Sequence, residues 1–429
     1  MAHIAVIGAG ITGITTAYSL LDHGHTVTVF DRHRYAAMET SFANGGQLSA
    51  SNAEVWNHPA TLIKGLKWLL RREAPLLLNL KPNWHKYSWL AEFVAQIPHY
   101  RRNTVATVRL ALAARRALLA MAEREGIAFD LECRGILHIY RDRAGFEHAR
   151  DVNALLQEGG LERHAVGDGE IKTIEPTIHG DFYGGFYTAS DATGDIHRFT
   201  RGLADACARR GARFVYDAAV ERVGVSDLGV RLRWRSADMP ADVAEESAAD
   251  AVVVCAGTAS RRLAAMLGDR INIYPVKGYS ITVDLDDAAS RAAAPHVSLL
   301  DDETKIVSSR LGDNRLRVAG TAEFNGFNWD IREDRVRPLV AWTRQLFPDV
   351  STERVMPWAG LRPMTPSMLP RIGAGRRARV FYNTGHGHLG WTLAAATAGM
   401  VADAVDAGLR AATSTPARVH AGTMLGHAR

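Results

Sequence analysis

The chain has 429 residues, enough for two or three core-sized units, and its 47% hydrophobic and 23% charged content is ordinary for a globular protein. The net charge is +5, and Lys and Arg are scattered without a long basic run, which argues against a nucleic-acid partner. Cys133, Cys207 and Cys255 lie too far apart for a disulfide framework or a zinc site, so no metal is expected and a reducing, cytoplasmic setting is the simpler reading.

The N-terminus lacks a basic segment leading into a cleavable apolar stretch, and no uncharged run reaches about 18 residues. Neither export nor a membrane span is expected.

Ile4–Ile7 is a continuous apolar run bounded by glycine and reads as a buried strand. A helix follows over Ile11–Asp22, with Ala17, Leu20 and Leu21 on its buried side. His23-Gly24-His25 ends it, Gly24 suiting the left-handed C-terminal position. Thr26–Phe30 is the second strand and closes at Asp31, which completes one βαβ unit. Residues 39–58 are small and polar and read as an ordered loop of the length that often carries function.

Residues 61–72 are basic and amphipathic. They fit either a membrane-surface helix or one packed on its own protein. Residues 85–125 are mainly helical, broken at Pro98, and Gly135–Tyr140 and Phe182–Thr188 read as strands. A helix over 197–211 leads to strands at Arg213–Tyr216 and Val220–Val223. The polar segment 236–250 reads as a surface hairpin. Ala251–Cys255 is a buried strand ending in Ala256-Gly257; residues 271–321 alternate strands and turns, and 332–347 is a helix. From Val380 the opening logic recurs: strand Val380–Tyr382, glycine-rich turn Gly385–Gly390, helix Trp391–Ala407. There are no internal repeats, and about the last fifteen residues read as a loose end.

Gly8-Ala9-Gly10-Ile11-Thr12-Gly13 is GxGxxG, placed after a strand and opening a helix. Gly8 allows the tight turn, Gly10 lets a pyrophosphate reach the backbone, and Gly13 lets helix and strand pack closely. The helix start offers free N–H groups and a positive dipole end. Asp31, followed by Arg32, stands where an acid grips a ribose hydroxyl. The motif alone says only dinucleotide. Its position at residue 8, the second glycine-rich turn near the C-terminus and the loop Glu39–Ser49 directly after the acid favour FAD over NAD, since a nicotinamide enzyme usually continues at once with another βαβ unit.

The segment Glu39-Thr40-Ser41-Phe42-Ala43-Asn44-Gly45-Gly46-Gln47-Leu48-Ser49 closely resembles the signature loop of bacterial D-amino acid dehydrogenases. These are FAD enzymes of the D-amino acid oxidase and glycine oxidase superfamily. Pro275–Ser280, Trp358–Pro366 and Asn383–Thr392 are similar to later segments of that family, in the same order. The resemblance implies an α/β fold in which a Rossmann-like FAD-binding domain is interleaved with a mixed-sheet α+β substrate domain. The former would take residues 1–85, 191–272 and 357–429, the latter 86–190 and 273–356. It implies oxidative deamination of a D-amino acid to the 2-oxo acid, with electrons passing to a quinone or respiratory carrier at the inner face of the membrane.

The resemblance also implies roles. Thr40, Ser41, Gly45, Gly46, Gln47 and Leu48 would pass the flavin, Ser41 near the phosphate or ribityl chain and the glycines offering bare backbone. Val220 would meet the adenine through backbone atoms or be a plain core valine. Ala256 and Gly257 would lie near the pyrophosphate or form an ordinary turn. Gly385, His388, Leu389, Gly390, Trp391 and Thr392 would bring a helix start to the flavin's pyrimidine end. His386 and His388 either face the substrate or are hydrogen-bonded structural residues. Arg362 would clamp the substrate carboxylate, since a guanidinium fork fits a carboxylate through two parallel bonds. No cysteine sits in an attachment motif, so FAD is expected to be held non-covalently.

The chain departs from the family at the substrate end. Family members carry a tyrosine in the segment that here reads Asp301-Asp302-Glu303-Thr304-Lys305-Ile306, and no tyrosine occurs between Tyr279 and Tyr382. The contact to the carboxylate is then either missing or supplied by Tyr279 or a residue of the Ser49–Trp56 loop. Ser367-Met368-Leu369 stands where relatives have Asp-Gly. These changes open the substrate to a cyclic imino acid such as D-proline or a 4-hydroxy-D-proline. Two other readings remain: a glycine or sarcosine-type oxidase using oxygen, and a flavin subunit of a larger dehydrogenase.

Overall fold

The computed structural model describes residues 1–61, 75–236, 238–240 and 243–414. Two large sheets organise it. The first has six strands in the order Arg371–Ala374, Val380–Thr384, Ala251–Val254, His3–Ile7, Thr26–Phe30, Arg213–Val215. All neighbours run parallel except the Arg371–Ala374 edge. Its central strands are buried on both faces, which is why they read as unbroken apolar runs. Ile4, Val6, Val27 and Val29 meet the helices Ile11–Asp22, Ile196–Arg209 and Gly390–Ser414. Ala5, Ile7, Phe30, Val252 and Val254 meet a three-stranded antiparallel sheet of Ala218–Ser226, Gly229–Ser236 and Glu245–Ala249.

The second sheet has nine strands. Its long central part is the antiparallel set Val355–Met364, Tyr274–Asp284, Arg315–Phe324, Ile306–Arg310 and Ser298–Asp301. Ile136–Tyr140 then joins in parallel, followed by Gly184–Thr188 and His164–Val166. The helix Glu333–Leu346 covers one face, burying Leu339, Trp342 and Leu346 against Ile281, Val283 and Val318. The fold is thus the mixed α/β arrangement the resemblance implied.

The helix Ile11–Asp22 and the strand Thr26–Phe30 match the sequence reading at both ends. The last helix starts one residue earlier than read, at Gly390, and continues to Ser414. Within the segment read as a surface hairpin, Glu245–Ala249 pairs antiparallel with Gly229–Ser236 and helps cover the parallel sheet. The helices Arg143–Glu158 and Asp168–Ile174 had no counterpart in the reading; Asp142 caps the first by accepting from Gly145 N at 2.8 Å.

Three segments cross the expected domain boundaries. Leu76–Leu78 pairs with Ala322–Phe324 in the nine-stranded sheet, although it fell within 1–85. Val355–Met364 lies wholly in that sheet, across the boundary at 357. Leu118, Met121 and Ala122 of the helix Tyr100–Glu125 join the core of the parallel sheet, although 86–190 was assigned to the other unit. Residues 62–72 and the tail from 415 lie outside the described residues. Among the described residues no helix is long and apolar enough to cross a membrane.

The turn between His3–Ile7 and the first helix depends on bare backbone. A Cβ on Gly13 would overlap the Gly8 carbonyl oxygen, and Gly8 itself has φ +111°. Gly13→Ala is therefore expected to cost about 1–3 kcal/mol of stability, as overpacking does. A lowered urea midpoint checks this; an unchanged midpoint would show that the helix can shift without loss.

Candidate active site

A cavity of about 490 Å³ lies where the C-terminal ends of the parallel strands face the nine-stranded sheet. That is the usual ligand position in an open α/β sheet, and the volume is ordinary for a small-molecule or cofactor site. Gly8, Gly10, Ile11 and Thr12 form one end of its wall. Ile11 N, free at the helix start, donates to Ser41 Oγ at 3.0 Å. Asp31 is fixed by two backbone donors, Ala9 N at 2.6 Å and His33 N at 2.9 Å. Arg32 reaches the wall but its side chain pairs with Glu39. Val220, Ala256 and Gly257 line the same end, the Val220 carbonyl accepting from Arg262 Nη2 at 3.1 Å.

Four residues expected on the cofactor are not on the wall: Ala9, Gly13, Gly46 and Leu48. Each has a supporting position instead. Ala9 is fully buried and orients Asp31, and Gly13 packs the helix on its strand. Leu48 is in the parallel-sheet core, and Gly46, at φ +76°, has Ser309 Cβ only 3.0 Å from where its own Cβ would be.

The loop between is laced to the nine-stranded sheet. Thr40 Oγ1 donates to Leu361 O at 2.9 Å, Ser280 Oγ to Ala43 O at 2.8 Å, and Ser309 Oγ to Gly45 O at 2.7 Å. Gln47 Nε2 donates to Ser298 Oγ at 2.8 Å and Leu299 O at 3.0 Å. A Cβ on Gly45 would meet Val307 Cγ2 at 2.8 Å, so the backbone there approaches the sheet as well as the cavity.

At the other end Gly385, His388, Leu389, Gly390, Trp391 and Thr392 line the cavity. Thr392 Oγ1 accepts from Ser49 N at 3.3 Å, and Trp391 Nε1 is buried without a hydrogen-bond partner. Two helix starts, at Ile11 and Gly390, therefore bring positive dipole ends to one cavity.

Arg362 enters the cavity from the strand Val355–Met364. Its Nη1 donates to Thr321 O at 2.9 Å, and a Cβ on the neighbouring Gly278 would fall on its guanidinium. Among the described residues no carboxylate pairs with it. Burial pushes its pKa down to about 10, which leaves it cationic at neutral pH. The His388 ring stacks on Trp56 with centroids 4.8 Å apart and planes at 23°. No hydrogen bond of good geometry satisfies either of its ring nitrogens, although the Asn52 backbone lies close. Burial and the Arg362 charge push its pKa down to about 3, so the imidazole is neutral. His386 is instead tied down, with Nε2 2.9 Å from Thr397 Oγ1, and burial lowers its pKa to about 3.

Tyr279 requires a correction. Its hydroxyl donates to Glu323 Oε2 at 2.8 Å, beside the buried Lys277. Side chains alternate across a strand, so Lys277 and Tyr279 point away from the face that Gly278 and Ser280 turn to Arg362 and the loop. Tyr279 is on the cavity wall, but its hydroxyl is held by Glu323. The cavity residues Asn52, Glu54, Trp56 and His148 were not named individually by the sequence reading. The only signal for the first three was membership of the Ser49–Trp56 loop; His148 had none.

The residues present suit a flavin dinucleotide: a cradle that any Cβ would fill, two helix starts, and a buried Trp391 donor without a partner. Residues 3–404 match the model of the FAD dependent oxidoreductase family. The chain belongs to that family and is an FAD-dependent oxidoreductase.

Its individual relatives narrow the comparison. It is 64% identical over 405 residues to a protein of Mesorhizobium japonicum named D-amino acid dehydrogenase 3, covering 94% of this chain and 97% of that one. It is 43% identical over 412 residues to a D-amino acid dehydrogenase of Dechloromonas aromatica, covering 94% and 96%. Among solved structures, glycine oxidase from Geobacillus kaustophilus superposes with a TM-score of 0.72 at 21% identity, covering 95% of each chain. L-proline dehydrogenase from P. horikoshii superposes with a TM-score of 0.73 at 16% identity, covering 95% of this chain and 94% of that one. These two structures share the fold.

His386 and His388 also carry a pH consequence. Their pKa values of about 3 lie below the unfolded value of 6.5, so between those limits only the unfolded chain takes up the protons. Stability is full above about pH 6.5 and falls as pH drops towards 3, by up to about 1.4 kcal/mol per pH unit for each histidine. Urea unfolding of the holoprotein between pH 7 and pH 5 should show this slope, and His388→Gln should remove about one proton of it. A slope unaltered in His388→Gln would mean that this histidine ionises freely in the fold.

Proposed function

We propose that this enzyme oxidises a D-amino acid, or a cyclic imino acid such as D-proline or a 4-hydroxy-D-proline, to the imine and thence the 2-oxo acid. The observation that carries this is Arg362: a guanidinium aimed into a flavin-family cavity with no carboxylate among the described residues to pair with. A substrate α-carboxylate completes it through two parallel charge-assisted bonds. The names of the two relatives support the D-amino acid class.

FAD supplies, when bound, a hydride acceptor at N5. Gly10 and the Ile11 helix start would hold its pyrophosphate, and Asp31 the ribose. Ser41, Gly45 and Gln47 would flank its chain and ring, and Trp391 and Thr392 would meet the pyrimidine end, where a helix start stabilises negative charge. Arg362 fixes the substrate's orientation, which is most of what the reaction requires once the amine is neutral. His388, held neutral and stacked on Trp56, walls the substrate without adding a second positive charge beside Arg362. No Ser–His–Asp or Cys–His set is needed.

The electron acceptor we propose is a quinone or respiratory carrier, met at the inner membrane surface by a peripheral enzyme. Under anaerobic conditions D-amino or D-imino acids should bleach the flavin, and in air with a dye acceptor little peroxide should form. Stoichiometric peroxide would replace this reading with an oxidase. Arg362→Ala should raise the substrate KM roughly 10- to 100-fold, the worth of a hydrogen bond to a charged group, while FAD stays bound. Unchanged kinetics would remove Arg362 from the substrate site.

A further inference from the structure

A small recess opens off the cavity near His388. Asn52, Glu54, His148 and Asp302 stand on the walls of both spaces, and His138, Tyr140 and Arg163 close the recess beyond them. It encloses about 30 Å³, room for one water-sized group. Asn52 is also the residue whose backbone lies against His388, so the recess begins where the substrate's side chain would leave the carboxylate clamp.

The polar groups of the recess are held in place. Tyr100 donates to Glu54 Oε1 at 2.6 Å, and burial together with the Glu54 charge keeps that phenol protonated. Among the described residues no donor holds the other Glu54 oxygen. Arg163 is only 3% exposed; its Nη2 donates to Tyr140 OH at 3.3 Å and its guanidinium lies 4.6 Å over the Phe186 ring. Its Nε is buried without a partner, and no carboxylate among the described residues forms an ion pair with it. His138 Nε2 is 2.9 Å from Ser51 Oγ, and burial, then the Arg163 charge, keeps the ring neutral. Lys305 pairs with Asp302 at the rim.

Charge and size then select the ligand group. Among the described residues Arg163 and Lys305 stand against Glu54 and Asp302, so a charged group gains no net attraction from these four and loses its hydration. An apolar group would leave the second Glu54 oxygen, which no described donor holds, without a hydrogen bond. A hydroxyl offers one donor and two acceptor sites in a single heavy atom, which suits a carboxylate acceptor, a guanidinium donor and a recess of this volume.

We propose that the recess is a hydroxyl subsite and that the preferred substrates are hydroxylated D-amino or D-imino acids, with Glu54 accepting from the substrate hydroxyl. The inference rests on the D-amino acid reading of the same cavity. Glu54 is a specificity residue, not one that takes part in hydride transfer.

The test is anaerobic flavin reduction by matched pairs differing in one hydroxyl: 4-hydroxy-D-proline isomers against D-proline, D-serine against D-alanine, D-threonine against D-2-aminobutyrate. Wild-type protein should favour the hydroxylated member of at least one pair by about 10- to 100-fold in kcat/KM, the range of a hydrogen bond to a charged group. Glu54→Ala should collapse that ratio, and Glu54→Gln, which keeps an acceptor but no charge, should leave an intermediate one. Wild-type ratios near one, or an equal loss on both members in the variants, would overturn the subsite while leaving the D-amino acid reading intact. The wild-type ratios decide the matter even if a variant does not fold. Failure of every amino and imino acid to reduce the flavin would remove the function itself, and the subsite with it.

Discussion

A guanidinium taken out of water without a carboxylate beside it costs several kcal/mol, and the site is arranged around that burden. The neighbours of Arg362 reduce it only in part: the Thr321 carbonyl accepts one bond, and Gly278 leaves space where any other residue would collide. The guanidinium stands on the cavity wall. Burial, and then the same positive field, keeps His388 neutral, and that field adds to two helix starts that converge on the same space. Pyrophosphate, a reduced flavin ring and the carboxylate of the proposed substrate all carry negative charge, so one electrostatic design would serve all three.

That design needs two sheets. The parallel one ends its strands at the cavity and delivers Gly8, Asp31, Ala256 and Gly385 there, because each turn that follows a parallel strand emerges on the same side. The nine-stranded sheet supplies the floor and Arg362. Residues 40–47 join the two through side chains of the floor strands that hold backbone carbonyls of the loop at Ala43, Asn44 and Gly45. Bare backbone at Gly45 is what allows that contact beside Val307.

Much of this was legible in the chain of letters. GxGxxG after an apolar run, with an acid closing the next strand, is local chemistry, and the helix Ile11–Asp22 and strand Thr26–Phe30 lie where the pattern put them. The Gly-Leu-Arg-Pro segment pointed to Arg362 by resemblance. Less legible was anything that depended on which way a side chain faces. Tyr279 is one residue from Gly278, yet the pleat turns it to Glu323 on the far face. The helix Arg143–Glu158 carries a helical apolar stripe, Phe146, Ala149, Val152 and Leu156, among its charges, but only the fold shows that Val152 and Leu156 pack on the helix Tyr100–Glu125.

The sequence by itself determined the cofactor class and the places where the chain must have no side chain, because a dinucleotide turn is built from residues adjacent in the chain and glycine is its only solution. Tertiary structure alone decided which groups meet. It set Arg362 apart from every described carboxylate, tied His386 to Thr397 while leaving His388 open, and brought Glu54, His138 and Arg163 from three separate segments around one recess. Those outcomes follow from strand register and from the alternation of faces, which are properties of pairs of strands rather than of any one of them.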